Sequence, residues 1–413
     1  MRLGMMVSFS KKRFIKVKDI SMIELLAPAG DLEKLKIALL YGADAVFIGG
    51  TNFSLRARAS NFTLSDIAEA THFAHERGKK VYVTTNIIPH NEDMDGLLLY
   101  LKALEERKVD AIISASPLII DTALKHTSLE VHLSTQQSAT NTEAVKFWHE
   151  LGIKRIVLAR ELDKHQIRRL KEKTKADIEV FIHGGMCMSY SGRCSLSNNM
   201  TDRDANRGGC AHSCRWNYDL TLDGVSLSDH SFSMSSKDLE ALEQIPYLID
   251  SKVSSLKIEG RMKSLHYIAT VVSTYRKLID DYTKNGSIPD FNPYLIELQK
   301  AENRLTSHGY LEGLPGVDEQ LFNKSSEQPN QLFVGLVISY DENTGISTIE
   351  QRNYFELGDD LEVFSPDGTV KDFKLDYMTD EKNEITPIAR HPKQVLKIKI
   401  PFCVEPYAMI RKK

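Results

Sequence analysis

Long apolar runs are missing from this chain. No stretch of about 18 apolar residues occurs in the 413, which excludes a membrane-spanning helix. A charge excess is missing as well. The 53 basic and 56 acidic side chains leave a formal charge of −3, which excludes both a broadly basic nucleic-acid coat and an acidic solvating chain. Cysteine is scarce: five residues are too few for a secreted scaffold stapled by disulfides. Several catalytic signatures are absent, namely H-E-x-x-H, G-x-S-x-G, any protease-type cysteine motif, and a glycine-rich nucleotide loop after the first apolar run. What is present is an apolar content of 42%, ample for a full core, in a chain long enough for two or three domains.

The first 21 residues carry a basic cluster (Lys11, Lys12, Arg13, Lys16, Lys18) after a weak apolar stretch, the reverse of an export signal. We expect a disordered basic tail, or a start ahead of Met22, with RNA contact as the alternative. Without an export signal the thiols sit in a reducing, cytoplasmic compartment, where clustered cysteines bind metal or act in catalysis rather than pair.

From Ile23 onward, short apolar runs alternate with capped helical segments. The runs are Ile23 to Ala27, Ala45 to Ile48, Lys80 to Thr84, Asp110 to Ile113, Glu130 to Leu133, Arg155 to Leu158, Asp177 to Ile182 and Ser255 to Ile258. Helical patterns follow most of them, started by Asp31, Thr63, Pro117 or Asp163 and stopped by Gly42, Gly78 or Gly152; Asp238 to Ile245 and Ser264 to Asn285 also read as helical. Eight such units predict an α/β fold of the (β/α)8, TIM-like barrel type, with an open doubly wound sheet as the alternative. Residues 313–331 are rich in Gly, Pro, Ser and amides and read as a linker. Five strand-like runs between Phe333 and Arg411, separated by turn signals, predict a small C-terminal β-barrel domain over 332–413. Its 11 basic and 14 acidic residues, counted over 330–413, give it no evident RNA surface.

In a barrel of this type chemistry sits at the C-terminal ends of the strands. Those ends carry Asn86, Ser134 to Gln136, Arg160-Glu161, His183 and Glu259-Gly260-Arg261, with Arg56 and Arg58 in the loop after the second strand. Two or three guanidinium groups in one mouth suit a carboxylate or phosphate ligand. Over that mouth, directly after the seventh strand, hangs a cysteine-rich insertion. Four of the five cysteines (Cys187, Cys194, Cys210, Cys214) fall in it with the spacing C-x6-C-x15-C-x3-C. Four thiolates from one glycine-rich loop can enclose a tetrahedral metal or a cluster, and the spacing alone does not separate zinc from iron–sulfur. Cys403 reads as ordinary core of the β domain.

The segments ELLAPAG (24–30), GADAVFIGG (42–50), HLSTQ (132–136), VFIHGGMCMSYSGRCSLS (180–197), NRGGCAHSCR (206–215) and LKIEGRMKS (256–264) resemble the collagenase-like peptidase family U32. The resemblance runs from about residue 23 to 310 and continues through the C-terminal domain. It is strongest to members described as prephenate-dependent tRNA uridine hydroxylases. It implies a 4Fe-4S cluster on Cys187, Cys194, Cys210 and Cys214, with zinc as the alternative; prephenate as hydroxyl source; and the wobble uridine of tRNA as acceptor, giving 5-hydroxyuridine. Arg160, Arg261, Arg56 and Gln136 are then expected to bind the dicarboxylate. His183 is the expected proton-transfer group, and Glu161 and Glu259 act in acid–base work or orient the arginines. The domains so implied are a tail (1–21), a catalytic barrel (22–312) with a cluster loop (183–230), a linker (313–331) and the β domain. Some relatives work with a homologous partner protein, so tRNA, prephenate and such a partner or a second copy are the expected partners. The family label also leaves a collagenase-like peptidase as the alternative activity. A third reading is a non-catalytic RNA-binding module using the β domain, the tail and the helix bearing Lys164, Arg168, Arg169, Lys171, Lys173 and Lys175.

Overall fold

The structure is a computed structural model that describes residues 23–55, 61–227, 231–301, 304–321 and 331–413. The expected basic tail, Arg56, Arg58 and part of the expected linker lie outside the described residues.

Eight parallel strands close on themselves. They are β1 (Glu24–Pro28), β2 (Ala45–Gly49), β3 (Lys80–Thr85), β4 (Ala111–Ser114), β5 (Glu130–Leu133), β6 (Arg155–Val157), β7 (Asp177–Gly184) and, after three short strands, β11 (Ser255–Ile258). Each pairs with its neighbour, and β11 bridges β7 to β1 through Ser255↔Glu179 and Glu24↔Ser255, so the eight strands form a closed barrel. The helices between them are α1 (Leu32–Leu40), α2 (Leu64–His75), α3 (Leu97–Glu106), α4 (Pro117–His126), α5 (Thr142–Glu150) and α6 (Lys164–Glu172). Their starts were legible because the capping side chains are in place. Asp31 accepts from the Lys34 N–H, and Thr63 with Asp66 and Asp163 with Gln166 form reciprocal capping boxes.

The insertion after β7 contains α7 (Leu196–Thr201) and a hairpin of β8 (Thr221–Leu222) and β9 (Val225–Ser226). The helix expected from Asp238 is a correction. Asp238–Glu240 form β10, antiparallel to the end of β7 through Leu239↔Gly184, and the helix α8 starts later, at Ile245–Asp250. One contact and one backbone constraint favour this: Arg304 fastens the Asp238 carboxylate at 2.7 Å, and Pro246 suits only the first turn of a helix. After β11 come α9 (Leu265–Asn285), α10 (Asn292–Gln299) and β12 (Thr306–Ser307). The described part of the expected linker is pinned rather than free, since Lys237 N–H donates to Glu319 and Leu321 N–H to Ser235.

The C-terminal β domain is antiparallel. Its main sheet holds β13 (Leu332–Asp341), β14 (Ile346–Gln351), β16 (Asp360–Phe364), β17 (Val370–Lys374), β18 (Met378–Thr379), β20 (Val395–Lys399) and β21 (Met409–Lys412). A ribbon of β15 (Phe355–Glu356) and β19 (Ile388–Ala389) lies beside it. The domain docks on α1, α9 and α10. Tyr41 Oη donates to Phe364 O at 2.9 Å, His266 stacks on Phe333 at 5.8 Å, and the fully buried Arg411 pairs with Glu297 at 2.7 Å over the Phe364 ring. Cys403 is a second correction. It is exposed, in an irregular stretch after β20 where Val404 instead turns inward.

Candidate functional site

A cavity of about 250 Å³ opens at the C-terminal ends of the barrel strands, with the cysteine segment as its roof. Five basic side chains (Arg160, Arg215, Lys257, Arg261, Lys263) and two carboxylates (Glu161, Glu259) line it. Arg261 is buried, and its guanidinium donates to Ser54 Oγ at 3.3 Å and Thr84 Oγ1 at 3.4 Å. It crosses β2 at Gly49, where a Cβ would stand 2.0 Å from Arg261 Nη1, so only glycine leaves room. Arg160 is half-buried, lies flat on the Phe181 ring at 3.8 Å and donates to Gly185 O at 2.6 Å. Gln136 and Asn86 hold each other reciprocally, Asn86 Nδ2 to Gln136 Oε1 and Gln136 Nε2 to Asn86 O, both at 3.0 Å.

Glu161 grips the roof rather than an arginine. Its carboxylate accepts the Ser191 N–H at 2.6 Å and the Ser191 hydroxyl at 3.3 Å, at a residue whose φ is +52°. Glu259 lines the cavity, with its N–H bonded to His183 O and its own carbonyl accepting from Tyr267 Oη at 3.3 Å.

His183 is a third correction. It does not join the cavity lining. A β-bulge pairs Lys257 with Phe181 but Ile258 with His183, skipping Ile182, and this turns the imidazole outward onto α9. There Nδ1 is 3.3 Å from Tyr275 Oη, with the Tyr267 ring at 5.8 Å. Burial, reinforced by the Lys263 charge, pushes this imidazole down to about 3. Its ring packs against Tyr275 of α9, away from the mouth where a proton-transfer group was expected.

Beneath the cavity lies a layer of charge that the strand pattern concealed. Glu179 and Lys257 are both buried and 2.8 Å apart, Arg155 lies 3.4 Å from Glu179, and Arg155 also pairs with Glu24. Burial alone would raise the Glu179 carboxyl, yet Lys257 and Arg155 beside it hold it below its usual range. The signal was available: Glu179 and Lys257 are charges in the interior of short strands that are buried almost throughout, which is costly unless they pair. Lys257 also reaches the cavity floor between the Phe47 and Phe181 rings.

The four clustered cysteines all line the roof. None is in a disulfide; Cys187 is exposed, and the others are half-buried. Burial pushes the Cys214 thiol up, and the charges of Cys187, Cys210 and Cys194 add to this against Arg215, so the four sense one another. Asn206 clasps the loop across its width, donating to Cys194 O at 3.1 Å and accepting from Cys194 N–H at 3.4 Å. Among the described residues no three Cys, His, Asp or Glu side chains are gathered at metal-holding separation. The donor set still fits a thiolate-bound group: four unpaired thiols face one cavity beside a cationic arginine, and free they repel each other's ionised forms. The basic face of α6 is largely committed internally. Lys164 pairs with Glu312, Arg168 lies on the Tyr247 ring at 3.8 Å, and Lys171 donates to Ala176 O. Among the described residues no helix is long and apolar enough to cross a membrane.

Comparison with known proteins agrees with this architecture. The family profile described as peptidase family U32 matches residues 30–321, and that of its C-terminal domain matches 329–411. The tRNA hydroxylation protein P1 of Bacillus subtilis strain 168 is 52% identical over 398 residues, covering 94% of each chain. The tRNA hydroxylation protein P of Escherichia coli K12 is 34% identical over 89% of this chain and 91% of its own. A collagenase of Porphyromonas gingivalis is 31% identical over 84% of this chain and 88% of its own.

Proposed function

This chain belongs to peptidase family U32, and from that premise we propose that it hydroxylates tRNA, converting the wobble uridine to 5-hydroxyuridine without molecular oxygen. The relatives named for tRNA hydroxylation match nearly the whole chain. The observation that carries the reading is the cation-rich mouth roofed by four thiols. Hydroxylation replaces C5–H of the pyrimidine by C5–OH, a two-electron oxidation of the base that balances when the hydroxyl donor R–OH is reduced to R–H in the same exchange, so the site must seat that donor against C5 and offer a base for the C5 proton. Prephenate, a dicarboxylate, is our choice of donor. Arg261 and Arg160 each offer a planar fork to one carboxylate, with Gln136 and Asn86 as amide partners at the side.

Cys187, Cys194, Cys210 and Cys214 would hold a 4Fe-4S cluster, which when bound supplies one-electron chemistry beside the cavity. Glu161 fixes the roof through Ser191. Glu259 is the carboxylate we assign to receive the proton that leaves C5. The rings of Phe47 and Phe181 line the floor on either side of Lys257. Work on tRNA would put the protein in the cytoplasm.

Deleting the gene and analysing tRNA nucleosides by mass spectrometry tests the reading. Loss of 5-hydroxyuridine is expected, and an unchanged level in a strain with no second pathway would overturn it. The collagenase-named relative gives the contrary outcome its form: cluster-loaded protein that cleaves gelatin while tRNA stays unmodified would favour peptide hydrolysis.

A further inference from the structure

A second cavity, of about 340 Å³, lies against the first and shares one wall with it, the segment Met186–Cys187–Met188. Arg160 holds this wall through Gly185 O from the first side, and Met186 packs over Gly309, where a Cβ would sit 3.5 Å from its methyl carbon. The crest of the wall reaches solvent, with Cys187 exposed and Met188 48% exposed. The two chambers differ in character. The first is lined by five basic and two acidic side chains, whereas the second has one of each, Lys237 and Glu319. Its walls otherwise include two aromatic rings, Phe232 and Tyr310, and the thioethers of Met186, Met188 and Met234. Flat rings and polarizable sulfur are what the face of a nucleobase stacks on.

The reacting pyrimidine has to enter the first chamber, because the arginines that suit the donor and Glu259, assigned to the C5 proton, line that side alone. We propose that the second chamber seats the base next to it in the anticodon loop, with the RNA strand crossing the exposed crest at Met188. A single segment of chain separates the chambers, and an apolar side chain such as Met188 is what wedges successive bases apart. An uncharged ring with polar edge atoms fits a charge-balanced chamber that includes the Gln320 amide. Splaying the two bases costs only their stacking, because bases of the anticodon loop are already unpaired. The neighbour so held fixes the wobble position over the first chamber, where donor and Glu259 meet C5. The inference rests on the proposed tRNA hydroxylation and adds to it a subsite for the flanking base.

The test measures the affinity of the full cluster-loaded chain for an anticodon stem–loop, intact or with one base flanking the wobble position removed. Removing the base on one flank should weaken binding about tenfold, the worth of one stacked base. Tyr310→Ala should weaken binding of the intact loop by the same factor, and the two losses should not add. Tyr310→Phe, which keeps the ring, should restore binding, with iron content at the wild-type level in both variants. Losses that multiply on both flanks, or a Tyr310→Ala variant that binds the intact loop normally, would overturn the inference. Photocrosslinking to the wild-type chain gives a second arm, with 4-thiouridine placed in turn at the wobble position and at each neighbour. Crosslinks to Phe232, Met234 or Tyr310 are expected from one neighbour. Crosslinks there from the wobble position, or from neither neighbour, would overturn the inference and leave the hydroxylase reading standing. If tRNA nucleosides are unchanged on gene deletion, the hydroxylase reading fails instead, whatever the binding shows.

Discussion

The two cavities on either side of Cys187 are built from the same loop and barrel end, yet one concentrates charge and the other nearly lacks it. In the first, arginines project from the ends of β6 and β11, elements fixed by the barrel's hydrogen bonds. In the second, rings and thioethers come from loops whose backbone is pinned by strand-like bonds between 235–237 and 319–321. A charged ligand needs donors held rigidly, because misplaced guanidinium groups lose their paired hydrogen bonds. A stacked base tolerates small displacements, because any flat face serves. The difference suits the barrel side to an anionic ligand and the loop side to a flat, uncharged one.

The largest expected effect falls on the thiol roof of the charged cavity. Cys210→Ser should abolish most bound iron, read as loss of broad visible absorbance after anaerobic purification. Loss of an outer partner of a metal ligand typically costs about 10–100-fold, and loss of the ligand itself should exceed that in tRNA hydroxylation. A colourless wild-type protein with stoichiometric zinc would break the cofactor assignment.

Next comes a change confined to the charged cavity. Arg261→Gln removes a charge-assisted pair worth about 1.5–3 kcal/mol, a ten- to hundredfold rise in donor KM, with tRNA KM unchanged. If both constants rise together, the two chambers are not separate. Gly49→Ala should act through the same guanidinium. Its Cβ would overlap Arg261 Nη1, so it should cost about 1–3 kcal/mol of stability in a thermal melt and also raise the donor KM.

How much of this was legible in the sequence follows the same divide. The barrel was legible because each parallel strand is covered on both faces and reads as an apolar run, and because side-chain caps mark the helix starts. The cysteines and mouth arginines were legible from their positions after strands. What escaped depends on pairings the chain does not announce. The turning of His183 rests on one skipped residue in a register, and Asp238 becomes strand because Arg304, 66 residues away, binds it. The charged layer under the cavity needed Glu179 and Lys257 to be seen together across 78 residues. Strand β17 was missed because its residues are mostly exposed, leaving no apolar alternation. The second cavity draws on three loop stretches with no motif in common.

A smaller effect is expected at the roof. Glu161→Gln keeps an acceptor for the Ser191 N–H but loses the charge that strengthens it, at a cost of about 1 kcal/mol. Slower cluster loading with little change in either KM would mark Glu161 as a positioning residue. A collapse of the pH profile's acid limb would instead return it to acid–base work.

The smallest effect on activity should come from His183, which touches neither chamber. With its imidazole held near 3 in the fold and about 6.5 when unfolded, the unfolded chain takes up the proton first as pH falls. The stability that the neutral, buried ring contributes is therefore complete above about pH 6.5 and is lost as pH drops towards 3, by at most about 1.4 kcal/mol per pH unit. His183→Phe removes the titration. Its stability, followed by denaturant unfolding, should fall less steeply than the wild type's over that window, while its pH–rate profile at neutral pH keeps the wild-type shape. A displaced acid limb in the rate profile, with unfolding unchanged, would mean that the imidazole swings through the bulge into the charged cavity during turnover, and the boundary drawn here between packing and chemistry would have to move by one strand residue.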